Sequence, residues 1–114
     1  MKVKKADEIE AKPAQMEGAV GVSVRVLIHE PDGATNFRMR LFELDPGGNT
    51  PLHEHDWEHE VYVLDGSGLV VTEAGEHMAS AGMCVFVPAG EKHQFRNTGA
   101  RAWKFLCLVP VTAK

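Results

Sequence analysis

At 114 residues the chain fits one domain with one core and leaves little for a second. Hydrophobic residues make up 44% and charged residues 25%, ordinary values for a globular chain. A formal net charge of -4 argues against nucleic acid or an anionic membrane as partner, and no run approaches the ~18 apolar residues of a membrane-spanning helix.

Taken in chain order, Met1 to Gln15 is polar, with Lys2, Lys4, Lys5 and Lys12 interleaved among acids. It has no apolar h-region. Together with two cysteines, Cys84 and Cys107, in no metal-type spacing, this sets the expectation of reduced thiols and a cytoplasmic location. A short helix is expected near Lys5 to Ile9. Val20 to Ile28 alternates through Val22, Val24 and Val26 and predicts a strand, followed by a turn at Glu30-Pro31-Asp32-Gly33. A second strand is expected from Phe37 to Leu44, closed by Asp45-Pro46-Gly47-Gly48. Others follow at His59 to Leu64, ended by Asp65-Gly66, and at Leu69 to Thr72, with a turn at Ala74-Gly75. Met83 to Val87 stops at Pro88-Ala89-Gly90, and Trp103 to Val109 is the last. Many short strands with regular turns and no long helical period predict an all-β sandwich or barrel.

Four histidines stand out. His53 and His55 share one strand face, about 7 Å apart along the chain. His59 begins a strand on which it shares a face with Val61 and Val63, opposite Glu60, Tyr62 and Leu64. His93 follows the Pro88-Ala89-Gly90 turn and shares its face with Phe95. Imidazole is neutral near pH 7 and is the commonest side-chain metal ligand. Three histidines within seven residues, with a fourth after a Pro-Gly turn, predict one metal site. Nitrogen donors suit zinc, copper, iron or nickel, and hold manganese where geometry imposes it.

The spacing resembles the two motifs of the cupin superfamily. Gly47, five residues, His53-Glu54-His55, three residues, His59, six residues and Gly66 follow the first, within 47–66. Gly82, Pro88, Gly90, His93 and Asn97 follow the second, within 82–97. The sequence departs from the family's pattern where a glutamate is usual and His59 stands, with Glu60 beside it. Alternation turns Glu60 from the face of His59, and a four-residue spacer would leave Gly66 one residue short. His59 is therefore taken as the ligand.

The resemblance is to small single-domain cupins of the four-histidine type, and it implies a cupin β-barrel (double-stranded β-helix, jelly-roll) over residues 1–114. It further implies one divalent ion, manganese first and iron, nickel, copper or zinc as alternatives, held by His53, His55, His59 and His93. It also implies a homodimer, to which Val20 to Ile28 could lend an exchanged strand. Replacing the glutamate by histidine raises the site's charge from +1 to +2, which favours an anionic substrate and a stronger Lewis acid. Four ligands on a six-coordinate ion leave two open positions, so the first functional expectation is a dioxygenase-like oxidoreductase acting on a small organic molecule. A non-redox isomerase or lyase, or a non-catalytic ligand- or metal-binding module, stand as alternatives.

Arg40 shares a strand face with Arg38 and Phe42. It either anchors a substrate carboxylate in the pocket or faces solvent. Phe105 and Cys107 alternate on the last strand and could line the pocket, Cys107 as a small hydrophobe or as a functional thiol. Cys84 is expected in the core, and His29 and His77 exposed and uninvolved. Glu54, Asp56 and Glu58 should face away from the metal.

Overall fold

The computed structural model describes residues 1–113 and is all-β. Nine strands build it: β1 (Lys12–Pro13), β2 (Val20–Ile28), β3 (Phe37–Asn49), β4 (His59–Asp65), β5 (Ser67–Thr72), β6 (Gly75–Ser80), β7 (Cys84–Val87), β8 (His93–Arg96) and β9 (Trp103–Pro110). The ladder runs β6-β5-β8-β3-β9-β4-β7, with β2 on the free side of β3 and β1 on β2. All pairings are antiparallel, and the sheet curls into a nearly closed barrel.

Strand β3 does the turning. Phe37 to Leu44 pair with β9, while Asn49 pairs with Arg96 of β8. The predicted stop at Asp45-Pro46-Gly47-Gly48 is therefore a bend within one long strand. Its register to β2 slips between Val20 and Val22, and Gly21 and Gly47 take positive φ of 63° and 82° there. A bulge of this kind re-aims a strand without ending it. The segment also has no room for a side chain at Gly48, where a Cβ would meet three carbonyl oxygens at 2.9 Å.

Alternation explains the core. On β9, Trp103, Phe105, Cys107 and Val109 are buried; on β4, Val61 and Val63 are buried while Tyr62 and Leu64 are exposed. Phe42, Leu44, Val70, Val87 and Phe95 complete the packed interior. Trp103 is fully buried against Phe95 and Phe105, with ring centroids 5.8 and 5.0 Å away. Asn97 is also buried, at the barrel end. It donates to the carbonyls of Leu44 and Arg101 and accepts from the Gly99 amide, so its role is to satisfy backbone that the barrel encloses.

Four expectations change. The helix expected near Lys5 to Ile9 is a single 3-10 turn over Ala6–Glu8. Cys84 is exposed, because β7 turns Val85 and Val87 inward and leaves Cys84 and Phe86 outside. His29 is half-buried in the turn Glu30–Asp32, where its backbone amide donates to Asp32. Strand β6, missed in the sequence, carries His77, which is exposed.

Candidate functional site

The segment from Thr50 to Glu58 lies between β3 and β4 and is zipped onto β8. The Thr50 amide donates to the Phe95 carbonyl and the Phe95 amide to the Thr50 hydroxyl oxygen, His53 and His93 pair as an isolated bridge, and the Gly90 amide donates to the His55 carbonyl. That zip brings His53, His55 and His93 together, with one ring nitrogen of each within 4.8 Å of the others. Burial alternates along the segment, so Leu52, Glu54, Asp56 and Glu58 are exposed, while Glu60 of β4 also points outward.

His59, from the start of β4, stands beside the three. Its Nε2 is 2.8 Å from His55 Nε2, and its ring centroid is 5.2 Å from that of His93. Its Nδ1 lies 3.0 Å from Cys107 Sγ. Of the four histidines singled out in the sequence, the structure brings His53, His55 and His93 into a mutual cluster and packs His59 on one edge of it.

Two rings have their tautomer set by backbone. His55 Nδ1 faces the Trp57 carbonyl at 2.9 Å, and His93 Nδ1 faces the Glu91 carbonyl at 2.7 Å. A carbonyl only accepts, so each Nδ1 carries the hydrogen and each neutral ring keeps a lone pair on Nε2. His55 is further held by Trp57, stacked at 4.2 Å and 7°. With Nε2 of His55 a lone pair, the His59 Nε2 facing it carries hydrogen in the metal-free protein. His59 Nδ1 then accepts from the Cys107 thiol.

Desolvation and the neighbouring rings, His93 before His55, lower the His53 pKa. Burial also lowers His55, against the pull of the Trp57 carbonyl. His59, the most enclosed, falls to about 3 by burial and then by the nearby His55, His93 and Arg40. His55 and His93 thus turn Nε2 lone pairs to the cluster, a donor type that fits a divalent transition metal, whereas His59 would have to give up its Nε2 hydrogen to join them. Burial pushes the Cys107 thiol up, opposed by Arg40.

These shifts predict an acid-side loss of stability. A group whose pKa is depressed on folding stabilises the native state above its unfolded pKa, and that contribution is lost as pH falls toward the folded value. For His59 the window runs from about 6.5 down to about 3. The melting temperature of metal-free protein should fall steadily below about pH 6.5, and His59→Gln should flatten the slope. An unchanged slope in that variant would show that His59 titrates normally.

The histidines open on a cavity of about 470 Å³. Its walls include Phe42, Phe105, Cys107, Trp57, Arg38 and Arg40. Arg40, left open between pocket and solvent by the sequence, lies in the pocket with Phe105 and Cys107. The sequence missed the contribution of Ala14, Gln15 and Met16, which reach the cavity from the segment between β1 and β2. No signal in that polar stretch marks it.

Residues 40–109 match the cupin domain family, more than half of the chain. Among solved structures, a polyketide cyclase from Streptomyces resistomycificus superposes with a TM-score of 0.94 at 36% identity, covering 97% of this chain and 80% of its own. A 1-methylthio-D-xylulose 5-phosphate methylsulfurylase from Rhodospirillum rubrum is 32% identical over 85 residues, 75% of this chain and 54% of the relative. An oxalate-binding protein from Thermotoga maritima is 34% identical over 80 residues, 67% of this chain and 66% of its own. The chain thus spans about half to two thirds of these two curated relatives. No helix among the described residues is long and apolar enough to cross a membrane. With both motifs, the barrel and the family match in agreement, this chain belongs to the cupin domain family.

Proposed function

We propose that this protein is a metal-dependent cupin enzyme that acts on a small enolisable carbonyl compound. The observation that carries the reading is the convergence of imidazole nitrogens on an open-mouthed, largely apolar cavity. His53, His55 and His93 would hold the ion, with His59 as fourth ligand, and manganese, iron, nickel, copper and zinc all suit such donors. When bound, the ion supplies a Lewis acid for a carbonyl or enolate oxygen.

The chain's own residues do the rest. The carbonyls of Trp57 and Glu91 hold two ligand rings in the tautomer that faces the site, a role second-shell acceptors commonly fill. Phe42, Phe105 and Trp57 shield the substrate from water. Similarity over nearly the whole chain to a polyketide cyclase supports a substrate rich in carbonyl groups. The dioxygenase-like oxidoreductase expected from the sequence takes second place, since none of the named relatives is named as an oxygenase: a polyketide cyclase, a methylsulfurylase and an oxalate-binding protein.

A homodimer belongs to the same proposal, supported by Tyr62, Leu64 and Phe86, exposed on the outer face of β4 and β7. Free thiols at Cys84 and Cys107 support a cytoplasmic setting.

Phenylpyruvate, an enolisable aromatic acid, offers a test. Protein reconstituted with each metal in turn should accelerate its keto–enol interconversion, followed by enol absorbance, without oxygen uptake. Oxygen consumption with cleavage would return the dioxygenase reading to first place. No effect with any metal would leave a binding module.

A further inference from the structure

Two arginines of β3 reach the same cavity, and the protein treats them differently. Arg38 is saturated: Nε and Nη2 donate to the two carboxylate oxygens of Glu30 at 2.7 and 2.6 Å, and Nη1 and Nη2 donate to the carbonyls of Ala113 and Val111 at 2.9 and 2.8 Å. That arginine is structural, tying the turn after β2 to the end of the chain.

Arg40 has no such network. Its Nη2 points at Cys107 Sγ at 3.6 Å, a weak acceptor, and its guanidinium lies over the Phe42 ring at 5.0 Å. Its Nε is buried and finds no acceptor among the described residues. No carboxylate among them forms an ion pair with it. A guanidinium does not shed its proton, so the cavity holds a permanent positive charge without a counter-ion. Even half-buried, a guanidinium with an enclosed Nε that finds no acceptor costs free energy, and packing alone would be served better by an apolar side chain.

We propose that Arg40 is the anion anchor of this cavity, and that the ligand is a small molecule with an apolar body and a carboxylate or enolate. The charged oxygens meet the Arg40 guanidinium while the body lies against Phe42, Phe105 and Trp57. This rests on the proposed function only in taking the same cavity as the substrate site; capture of the anion needs no metal. One guanidinium fork matches a planar monoanion. A phosphate would call on several donors, yet Arg38 is consumed by Glu30, and Lys92 and Arg96 lie outside the cavity lining.

The test uses metal-free protein, stripped with a chelator, titrated with benzoate and with benzamide, its neutral counterpart, by NMR. Wild type should bind benzoate about tenfold or more tightly than benzamide, the effect expected of a charged hydrogen bond. Arg40→Met should abolish the preference, and Arg40→Lys, which keeps charge but loses the fork, should retain part of it. Thermal melting separates this role from a structural one. Ligand-free Arg40→Met should melt at or above the wild-type temperature, because the substitution removes a half-buried guanidinium whose buried Nε has no acceptor among the described residues.

Equal binding of the two probes by wild type, a preference that survives Arg40→Met, or no binding of either probe would overturn the proposal. Failure to load any metal, with the benzoate preference intact, would sink the metal reading and leave the anion anchor standing.

Discussion

Purified without a histidine tag, the His93→Ala protein should carry no stoichiometric metal where the wild type does. His93 is 2% exposed and sits at the centre of the cluster, within ring-packing distance of His53, His55 and His59. Losing a ligand should cost more than the ~10–100-fold that loss of an outer-shell partner costs. His53→Ala and His55→Ala should behave alike. His59→Ala is the informative variant: loss of metal there supports four histidine ligands, and full occupancy supports three. Glu60→Ala should change nothing, since Glu60 lies on the outer strand face opposite Phe86. Metal content is read by mass spectrometry after reconstitution. A wild type that stays substoichiometric with every metal would overturn the centre itself.

The largest stability effect is expected at Trp103→Ala. The indole is fully buried against Phe95 and Phe105, and its removal should cost ~3–5 kcal/mol. For a domain this size that lowers the melting temperature by roughly 15 °C or more. Gly68 is the complement of the indole, because a Cβ there would lie 2.3 Å from the Trp103 ring. Gly68→Ala alone should therefore cost ~1–3 kcal/mol as overpacking. In the Trp103→Ala background the same change should cost far less, a coupling that urea unfolding of the four proteins would measure. Additive costs would mean that the two residues do not meet.

The legible parts of this chain were those where one residue type recurs at a fixed interval. The alternation of β4 and β9 named their inward faces, and the spacing of the histidines pointed to the cluster of His53, His55 and His93. What escaped had other causes. Strand β6 is a polar hairpin arm, Gly-Glu-His-Met-Ala-Ser, with only Ala79 buried, so it carries no period-2 signal. The Asp-Pro-Gly-Gly run has turn chemistry, yet its glycines serve a bulge in a continuing strand, a distinction that depends on β2 lying alongside. Cys84 was misjudged because apolar neighbours in sequence were read as a core, whereas alternation puts neighbours on opposite faces. The His59–Cys107 contact needs the register of β4 against β9, which no local pattern records.

Strand β9 lies between β3 and β4, and both complete their ladders only on it. Arg40 and Cys107 are register partners, although 66 other residues separate them in the chain. During synthesis, then, the wall that carries Arg40 and the wall that carries His59 stay unjoined until the segment ending at Pro110 has emerged from the ribosome. Non-local pairing of this kind slows folding and leaves strand edges open meanwhile. The pairings that gather His53, His55 and His93 do not involve β9, so it is His59, on β4, that joins the cavity wall carrying Arg40 only when β9 is in place.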